Sequence, residues 1–226
     1  MVITGGAGGL GPAVVETLLT AGATCHLPLR GPARELHAHE RLVVVESVDL
    51  TNEAEVAAFY AARPPLWASV HLAGGFKGAP LADTTLADLR AQLDINLITA
   101  FLCCREAARN MRAASGGGAR RAAGRIVNVG SRAAAAPSGG SAAYTIAKAG
   151  VGALTQVAAA ELLGDGILVN AVLPSTIDTA ANRAAMPKAD FARWPKPHEI
   201  AAAIAWLVSP DNTVTSGALV PVYGRA

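Results

Sequence analysis

The stretch Val2–Thr20, VITGGAGGLGPAVVETLLT, joins a short apolar strand to an amphipathic helix through a turn rich in glycine. Gly5, Gly9 and Gly11 fit the spacing T-G-x-x-x-G-x-G. Glycine allows a tight turn, close approach of the backbone to a pyrophosphate, and close packing of the helix on the strand. Pro12 suits the first turn of the helix, whose free amide groups would face the phosphates. This unit predicts a nucleotide-binding α/β fold.

Segments typical of strands and of helices alternate along the rest of the chain. Further strands are expected at Ala23–Leu29, Leu42–Val48, Trp67–Leu72, Ile126–Val129, Ile167–Leu173 and Gly217–Val222. Helices are expected from a Thr51 cap to Ala62, over Leu86–Met111 with a kink, from the segment of Tyr144 to Leu163, and over Pro197–Val208. This alternation predicts an α/β protein with one doubly wound Rossmann-type domain over residues 1–226, a mainly parallel sheet and helices on both faces.

Composition limits the possible classes of function. With 226 residues the chain can form one domain with a sizeable core. The net charge of +2 is too small to indicate nucleic acid or an anionic membrane surface as a partner. No apolar run reaches the length of a membrane span and Met1 precedes no charged leader region, so we expect a cytoplasmic protein. Cys25, Cys103 and Cys104 are expected to be small buried hydrophobic residues.

A second informative stretch, Ile126–Lys148, contains a hydroxyl, a phenol and an amine at fixed spacing. Ser131 ends a strand, twelve residues separate it from Tyr144, and Lys148 follows Tyr144 by one helical turn. Tyr144 and Lys148 therefore project from one face of a helix. A phenol has a pKa of about 10, and a neighbouring ammonium group favours the phenolate and lowers that pKa. Ser131 would hydrogen-bond a carbonyl or hydroxyl oxygen beside the phenol.

Together, the glycine turn and the set of Ser131, Tyr144 and Lys148 resemble the short-chain dehydrogenase/reductase (SDR) family. The resemblance covers Thr4–Val222 and implies a seven-stranded sheet. It also implies an NAD(P)-dependent oxidoreductase that moves a hydride between nicotinamide and a carbonyl or alcohol, with Tyr144 as general acid and base. In the family pattern Ser131 orients the substrate oxygen, and Lys148 lowers the phenol pKa and holds the nicotinamide ribose. Asn96 matches a residue that supports the proton relay.

The resemblance assigns cofactor contacts to residues near the carboxyl ends of the strands. These residues are Gly5, Gly8, Gly9, Leu10, Gly11, Arg30, Asp49, Leu50, Ala73, Gly74, Tyr144, Lys148, Pro174, Ile177 and Thr179. Contacts with a small-molecule substrate are expected at Ser131, Tyr144, Phe76, Met186 and Trp194. No metal site is expected, because His37 and His39 lack a third ligand nearby.

Leu29 and Arg30 end the second strand, where dinucleotide folds that prefer NAD carry an acidic residue. A guanidinium can hold the 2′-phosphate of NADP, and no carboxylate is present to repel it. We therefore expect NADP to be preferred over NAD. The alternative is that Arg30 is a solvated cation, since no basic residue in the glycine turn reinforces it. Asp49, just past the third strand, resembles the family residue that hydrogen-bonds the adenine amino group.

The chain departs from the family pattern at two places. The segment His71–Gly74, HLAG, stands where the family usually has NNAG, so Leu72 lacks a hydrogen bond that braces the central sheet. Ser175 replaces the glycine that usually follows Pro174. We expect the first departure to affect local rigidity more than chemistry.

Two loops are expected to be functional or mobile. Residues 112–124, RAASGGGARRAAG, predict a mobile basic surface loop, for which solvation is favoured over contact with a phosphate or an acidic partner. Residues 180–195 are short for the lid that covers the substrate in the family. Met186, Phe191 and Trp194 in this lid either close over a small or planar molecule or anchor the lid to the core.

Two other functions remain open. The C-terminal third also resembles quinoid dihydropteridine reductase, of the same superfamily, through Asp178-Thr179, Asn182-Arg183, Met186-Pro187, Ala189-Asp190-Phe191 and Trp194. A pterin reductase of that type would not need Ser131. A redox sensor that binds the dinucleotide without turnover is disfavoured, because such proteins tend to lose catalytic residues. This chain keeps Asn96, Ser131, Tyr144 and Lys148.

The helices over Leu93–Ala108 and Ala143–Leu162 are apolar over much of their circumference. A helix that is apolar all round must be covered on its outer side as well. Members of the resembled family pair subunits through these two helices, so we expect a homo-oligomer, a tetramer rather than a dimer. The tail Gly217–Arg225 would lie at a second interface.

Overall fold

The computed structural model describes residues 1–32, 38–114 and 124–225. The strands are β1 (Val2–Thr4), β2 (Cys25–Pro28), β3 (Leu42–Val45), β4 (Ala68–His71), β5 (Gly124–Val129), β6 (Ile167–Pro174) and β7 (Leu219–Val222). They form a seven-stranded sheet in the order β3-β2-β1-β4-β5-β6-β7, with parallel neighbours throughout. The predicted doubly wound fold is thus confirmed. The strand order reverses between β1 and β4, and such sheets bind ligands outside the carboxyl ends of the strands at this point.

Helices cover both faces of the sheet. They are α1 (Gly11–Thr20), α2 (Glu53–Ala61), α3 (Leu86–Leu93), α4 (Thr99–Ala114), α5 (Arg132–Ala135), α6 (Ala142–Leu162), α7 (Ala180–Ala185) and α8 (Pro197–Val208). One apolar core lies between the sheet and α2, α4 and α6, and the other lies between the sheet and α1 and α8. Neighbouring side chains on a strand point to opposite faces, so Val2 belongs to the first core and Ile3 to the second.

Helix α2 is capped by Asn52, so the prediction of a Thr51 cap is wrong by one residue. Asn52 Oδ1 accepts a hydrogen bond from the backbone N–H of Ala54 at 3.0 Å. The Thr51 hydroxyl instead donates to Asp49 Oδ1 at 2.7 Å. Thr51 therefore fixes the orientation of the Asp49 carboxylate beyond the end of β3.

Helices α3 and α4 are joined by a wide turn of π-helix over Asp94–Ile98, which confirms the kink expected in this region. Asn96 lies in this turn, and its amide Nδ2 donates to the carbonyl oxygen of Gly75 at 2.9 Å. Wide turns of this kind inside α-helices are frequent at functional sites. The turn aims the Asn96 side chain at the loop that follows β4.

The segment 112–124 differs from its prediction at both ends. Helix α4 continues to Ala114, and strand β5 begins at Gly124, so the expected loop is shorter on each side. The helix persists because alanine and arginine are strong helix formers. Residues 115–123 lie outside the described residues, and the expectation of a mobile basic loop is untested there.

Helix α6 and the short 3₁₀ turn after it, Ala142–Asp165, are long and apolar enough to cross a membrane by length and composition. The prediction that no segment meets those criteria is therefore wrong. The helix nevertheless contains two buried polar residues, Lys148 and Thr155, which are hydrogen-bonded to Val129 and Asn128 of β5. Core helices of globular proteins meet the same criteria, and we interpret α6 as one of these.

Candidate active site

Ser131, Tyr144 and Lys148 meet where β5 ends and α6 begins. The Ser131 hydroxyl oxygen accepts a hydrogen bond from the backbone N–H of Ala133 at 3.2 Å, and the same hydroxyl is close enough to Tyr144 to lower the pKa of the phenol. Tyr144 lies in the first turn of α6, and Lys148 follows one turn later on the same helix. The structure thus brings together the three residues that the sequence spacing singles out.

Burial dominates the pKa values of the phenol and the amine. Burial raises the pKa of Tyr144, and the hydrogen bond with Ser131 opposes that rise. Burial lowers the pKa of Lys148 to about 8. Lys148 Nζ donates to the carbonyl oxygen of Val129 at 2.7 Å and lies 5.9 Å from the centroid of the Tyr144 ring. The expected lowering of the phenol pKa by Lys148 is thus not found in this state, and Ser131 is the group that favours the phenolate.

Asn96 and Lys148 approach each other around Gly74. Asn96 Oδ1 accepts a hydrogen bond from the backbone N–H of Gly75 at 3.2 Å, and its Nδ2 also donates to the carbonyl oxygen of Gln92 at 3.1 Å. A Cβ placed on Gly74 would lie 2.6 Å from Asn96 Oδ1 and 3.4 Å from Lys148 Nζ. Glycine is therefore required at position 74 for these two side chains to come this close.

The glycine turn after β1 contains close approaches that leave no room for side chains. Gly5 has a φ of +67°, and a Cβ there would lie 2.7 Å from the backbone nitrogen of Ala73. A Cβ on Gly11 would overlap the carbonyl group of Gly6. Helix α1 begins at this turn with Leu10 as its N-cap, and no side chain caps its amide groups. A glycine cradle at an uncapped helix N-terminus fits the pyrophosphate of a dinucleotide.

Arg30 and Asp49 lie together beyond the ends of β2 and β3. Arg30 Nε is 3.6 Å from Asp49 Oδ2, and both side chains are exposed. The pKa of Asp49 is lowered first by hydrogen bonds from Thr51 and then by the charge of Arg30. An exposed ion pair contributes at most about 1 kcal/mol, so the guanidinium is available to a phosphate. The two residues expected on the adenosine side of the cofactor are therefore neighbours, and Leu50 follows them in the chain.

The segment after β6 faces the glycine turn. β6 ends at Pro174, and the carbonyl oxygen of Ile177 accepts a hydrogen bond from Asn182 Nδ2 at 2.8 Å. Thr179 Oγ1 accepts from the backbone N–H of Asn182 at 3.2 Å and so caps α7. A Cβ on Gly9 would lie 3.0 Å from Thr179 Cγ2. Thr179 therefore packs directly against the glycine turn at Gly9, with no room for a side chain between them.

Of the expected substrate contacts, Phe76 lies against the phenol. Its ring meets the ring of Tyr144 edge to face, with centroids 5.0 Å apart, and Phe76 is 69% exposed. Trp194, by contrast, is 9% exposed and packs on Phe191 with ring centroids 5.0 Å apart. Trp194 therefore anchors the segment 180–195, while Met186 remains exposed at the end of α7.

Sequence reasoning does not identify Arg132, which directly follows Ser131 and is the first residue of α5. Its guanidinium carbon lies 5.4 Å from the centroid of the Tyr223 ring, within the range of a cation–π contact. In the part of the chain that the structure describes, no carboxylate forms an ion pair with Arg132. No motif signals this residue, because an arginine after a strand is usually a solvated surface group.

Histidine and acidic side chains do not gather into a metal site in the described ranges. These ranges contain no group of three or more His, Cys, Asp or Glu side chains that could hold a metal ion. His39 Nδ1 accepts a hydrogen bond from the backbone N–H of Arg41 at 3.0 Å, whereas His37 lies outside the described residues.

Comparison with known proteins gives a family match and close relatives. A family model for short chain dehydrogenases matches residues 1–190. The chain is 33% identical to cis-4-hydroxycyclohexanecarboxylate dehydrogenase of Sinomonas cyclohexanicum, over 99% of this chain and 94% of that protein. It is 32% identical to galactitol 2-dehydrogenase of Rhizobium johnstonii, over 98% of this chain and 92% of that protein. An NADPH-bound short chain oxidoreductase of Pseudomonas aeruginosa PAO1 superposes with a TM-score of 0.86 at 26% identity, over 99% of this chain and 94% of that one.

Proposed function

The chain belongs to the short-chain dehydrogenase family and is an NAD(P)-dependent oxidoreductase, and we propose that it oxidises a secondary alcohol on a six-membered ring that carries a carboxylate. The proposal rests on two residues that are consecutive in the chain, Ser131 and Arg132. The Ser131 hydroxyl lies beside the half-buried phenol of Tyr144 and lowers its pKa, and Arg132 supplies a positive charge next to Ser131 in the chain.

In the proposed reaction Tyr144 takes the proton of the substrate hydroxyl while Ser131 holds the same oxygen by a hydrogen bond. A bound nicotinamide supplies the hydride acceptor for this oxidation and the hydride donor for the reverse reaction. Burial raises the pKa of Tyr144, and the Ser131 hydroxyl opposes that rise and so favours the phenolate form, which is the form that can accept the proton. Lys148 and Asn96, which meet around Gly74, hold the ribose side of the site and support the path of the proton to solvent.

The two relatives differ in substrate, and two residues of this chain favour one of them. The name of the first relative specifies a ring alcohol with a carboxylate, and that of the second an uncharged open-chain polyol. Phe76 offers an exposed aromatic surface beside Tyr144, which suits an apolar ring better than a polyol. Arg132 has a planar guanidinium suited to bidentate contact with a carboxylate.

An oxidation panel with NADP or NAD tests this proposal. cis-4-Hydroxycyclohexanecarboxylate, cyclohexanol and galactitol represent a charged ring, an uncharged ring and an open-chain polyol. We expect the charged ring to give the highest kcat/KM. Arg132→Leu should lower that value by about tenfold to a hundredfold, because charge-assisted hydrogen bonds contribute roughly 1.5–3 kcal/mol, and should spare cyclohexanol. Arg132→Lys, which keeps the charge but not the planar fork, should lie between the two.

The outcomes separate the parts of the proposal. If Arg132→Leu affects the charged and uncharged rings equally, the carboxylate contact is wrong while the reaction stands. If no alcohol in the panel reduces the dinucleotide, the proposed reaction itself is wrong.

For the cofactor we propose a preference for NADP over NAD. Arg30 is exposed at the end of β2 and lies at the edge of the expected adenosine site, beside Asp49. Leu29, the neighbouring residue, presents no carboxylate to a 2′-phosphate.

For assembly we propose a homotetramer, or at least a dimer, paired through α4 and α6. The outer side of α6 exposes an apolar stripe at helical spacing that includes Ile146, Ala149, Ala153 and Val157. On α4 Phe101 is also exposed. A stripe of this kind is usually covered by another subunit.

For location we propose the cytoplasm. All three cysteines are buried free thiols, which suits a reducing compartment.

The comparisons give no support to the alternatives of a pterin reductase and of a sensor without turnover.

A further inference from the structure

A chain of buried hydrogen bonds crosses the sheet beneath the candidate active site. His71 on β4 and Asn128 on β5 are register partners, and His71 Nδ1 lies 2.8 Å from Asn128 Oδ1. Asn128 Nδ2 donates to Thr155 Oγ1 on α6 at 3.0 Å, and Thr155 Oγ1 donates to the carbonyl oxygen of Val151 at 2.8 Å. His71, Asn128 and Thr155 are all buried. This network of hydrogen bonds therefore connects β4, β5 and α6 through buried side chains.

The network of hydrogen bonds extends from the second nitrogen of the His71 ring to Ser69 and Tyr60. His71 Nε2 lies 2.8 Å from Ser69 Oγ, which lies 2.8 Å from the hydroxyl of Tyr60 on α2. Because Asn128 Oδ1 accepts from His71, the proton of the imidazole is on Nδ1 and Nε2 accepts from Ser69. Burial lowers the pKa of His71 to about 4, so the ring is neutral near neutral pH. Each of these buried polar groups thus has a defined partner.

Helix α6 is attached to β5 at two consecutive strand residues. Lys148 Nζ donates to the carbonyl oxygen of Val129. Thr155 Oγ1 accepts from Nδ2 of Asn128, which directly precedes Val129 in β5. Lys148 and Thr155 are seven residues apart, which is about two helical turns, so both face the strand. Two directional bonds at this spacing fix both the rotation of α6 and its position along β5.

The same attachment determines the geometry at the phenol. Tyr144 lies one turn before Lys148 on α6, and Ser131 lies two residues after Val129 on β5. A small rotation or slide of α6 against β5 would therefore lengthen the hydrogen bond between Tyr144 and Ser131.

We propose that His71, Asn128 and Thr155 are positioning residues that hold α6 in register with β5 and thereby keep Tyr144 within hydrogen-bond reach of Ser131. This inference rests on the proposed roles of Tyr144 and Ser131. Apolar residues at the same places would pack, but buried polar networks specify one arrangement more narrowly. His71 also supplies a side-chain bond between β4 and β5 next to Leu72, the position at which the resembled family usually carries an asparagine.

The test compares three substitutions. Thr155→Val has nearly the same shape but loses the bonds with Asn128 and Val151, whereas Thr155→Ser keeps the hydroxyl. Thr17→Val is the matched control, because the Thr17 hydroxyl donates to the carbonyl oxygen of Ala13 at 2.7 Å in α1 and joins no part of this network. Thermal unfolding of all three shows whether each variant folds.

Two readouts distinguish positioning from a structural role alone. We expect Thr155→Val to lower kcat for alcohol oxidation by about tenfold to a hundredfold, since displacements of the order of 1 Å can have such effects, with unchanged dinucleotide affinity. In an ultraviolet titration of the phenol, with the Tyr144→Phe spectrum subtracted, the pKa of Tyr144 should rise because the bond with Ser131 opposes the effect of burial. Thr155→Ser should restore both values, and Thr17→Val should change neither.

Unchanged kcat and unchanged phenol titration in folded Thr155→Val would overturn the inference, even if that variant unfolds at a lower temperature. The titration needs no turnover, so it decides the inference even if the wild-type protein oxidises none of the alcohols. In that case the proposed function fails while the positioning network is still judged by the phenol.

Discussion

Lys148 donates from Nζ to the main-chain carbonyl oxygen of Val129 at 2.7 Å, and the lysine side chain is buried while Val129 is half-buried. The bond ties a charged group of α6 to the strand that ends at Ser131. Burial at this place lowers the pKa of the lysine to about 8 from its ordinary value of 10.5. The amine is therefore held in a setting that disfavours its charge, and this has a measurable consequence for stability.

Stability should depend on pH through Lys148. Between about pH 8 and the ordinary lysine pKa of 10.5, the unfolded chain keeps a proton that the folded chain has released. The unfolded state binds more protons in that window, so the free energy of unfolding should rise with pH relative to a Lys148→Met variant. Below about pH 8 both states hold the proton, and the difference between the two proteins should be constant. Urea unfolding across this range measures the difference, and a flat profile would contradict the assignment.

Tyr144→Phe should lower kcat by about a hundredfold to ten-thousandfold, because it removes the group that transfers the proton. Dinucleotide affinity should stay within about twofold, since the aromatic ring remains. Steady-state oxidation rates and a fluorescence titration with NADPH measure the two effects separately. Turnover close to that of the wild type would refute the role of Tyr144.

Arg30→Ser should weaken NADP binding without a matching effect on NAD. Loss of one charge-assisted contact with the 2′-phosphate corresponds to about tenfold or more in KM for NADP. Arg90→Ser, on the exposed side of α3, is the control for loss of a positive charge. Equal changes for both cofactors, or none for either, would show that Arg30 is a solvated cation.

Gly9→Ala should impair cofactor binding while the protein stays folded. The added methyl group would lie 3.0 Å from Thr179 Cγ2, closer than ordinary contact, and would push the glycine turn and Thr179 apart. Thr179→Ser removes that Cγ2 but keeps the hydroxyl that caps α7, so the double variant should regain part of the affinity. Gly164→Ala is the control, because a Cβ there meets nothing within 4 Å. Dinucleotide titrations and thermal unfolding would be compared, and a Gly9→Ala protein with normal affinity would contradict a role of this close contact in cofactor binding.

Val157→Glu should dissociate the assembly. Val157 is 55% exposed on the outer stripe of α6, and a carboxylate in an apolar interface loses its hydration without gaining a partner. Light scattering should show a large species for the wild type and a smaller one for the variant. Glu161→Gln, near the exposed end of the same helix, serves as the control. A wild-type monomer near 23 kDa would exclude pairing through α4 and α6.

Local patterns were sufficient to predict much of the site. Helix α8 has the predicted bounds because Pro197 defines its first turn. The spacing of Ser131, Tyr144 and Lys148 needs only one strand end and one helix to bring the three side chains together. The kink expected within Leu86–Met111 is found as the wide turn over Asp94–Ile98. In each case the residues that determine the feature lie close together in the sequence or match a family pattern.

The features that sequence could not provide depend on distant pairs. The hydrogen bond between His71 and Asn128 joins residues 57 positions apart, and no local pattern marks either side chain as a partner. Trp194 could have faced a ligand or the core, and only packing on Phe191 decides between them. The choice of Asn52 over Thr51 as the cap depended on Asp49, which attracts the threonine hydroxyl.

The wide turn over Asp94–Ile98 places one more residue in its coil than an α-helix would. Deleting a single residue there would let α3 and α4 continue as one regular helix. The wide turn already absorbs the extra residue, so α3 and α4 would keep the faces that they present to the rest of the protein. The contact of Asn96 with the carbonyl oxygen of Gly75, which depends on the turn, would be the interaction lost. A one-residue deletion here would thus remove the proposed support of the proton path while leaving the outer surface of α4, with Phe101, in place for subunit pairing.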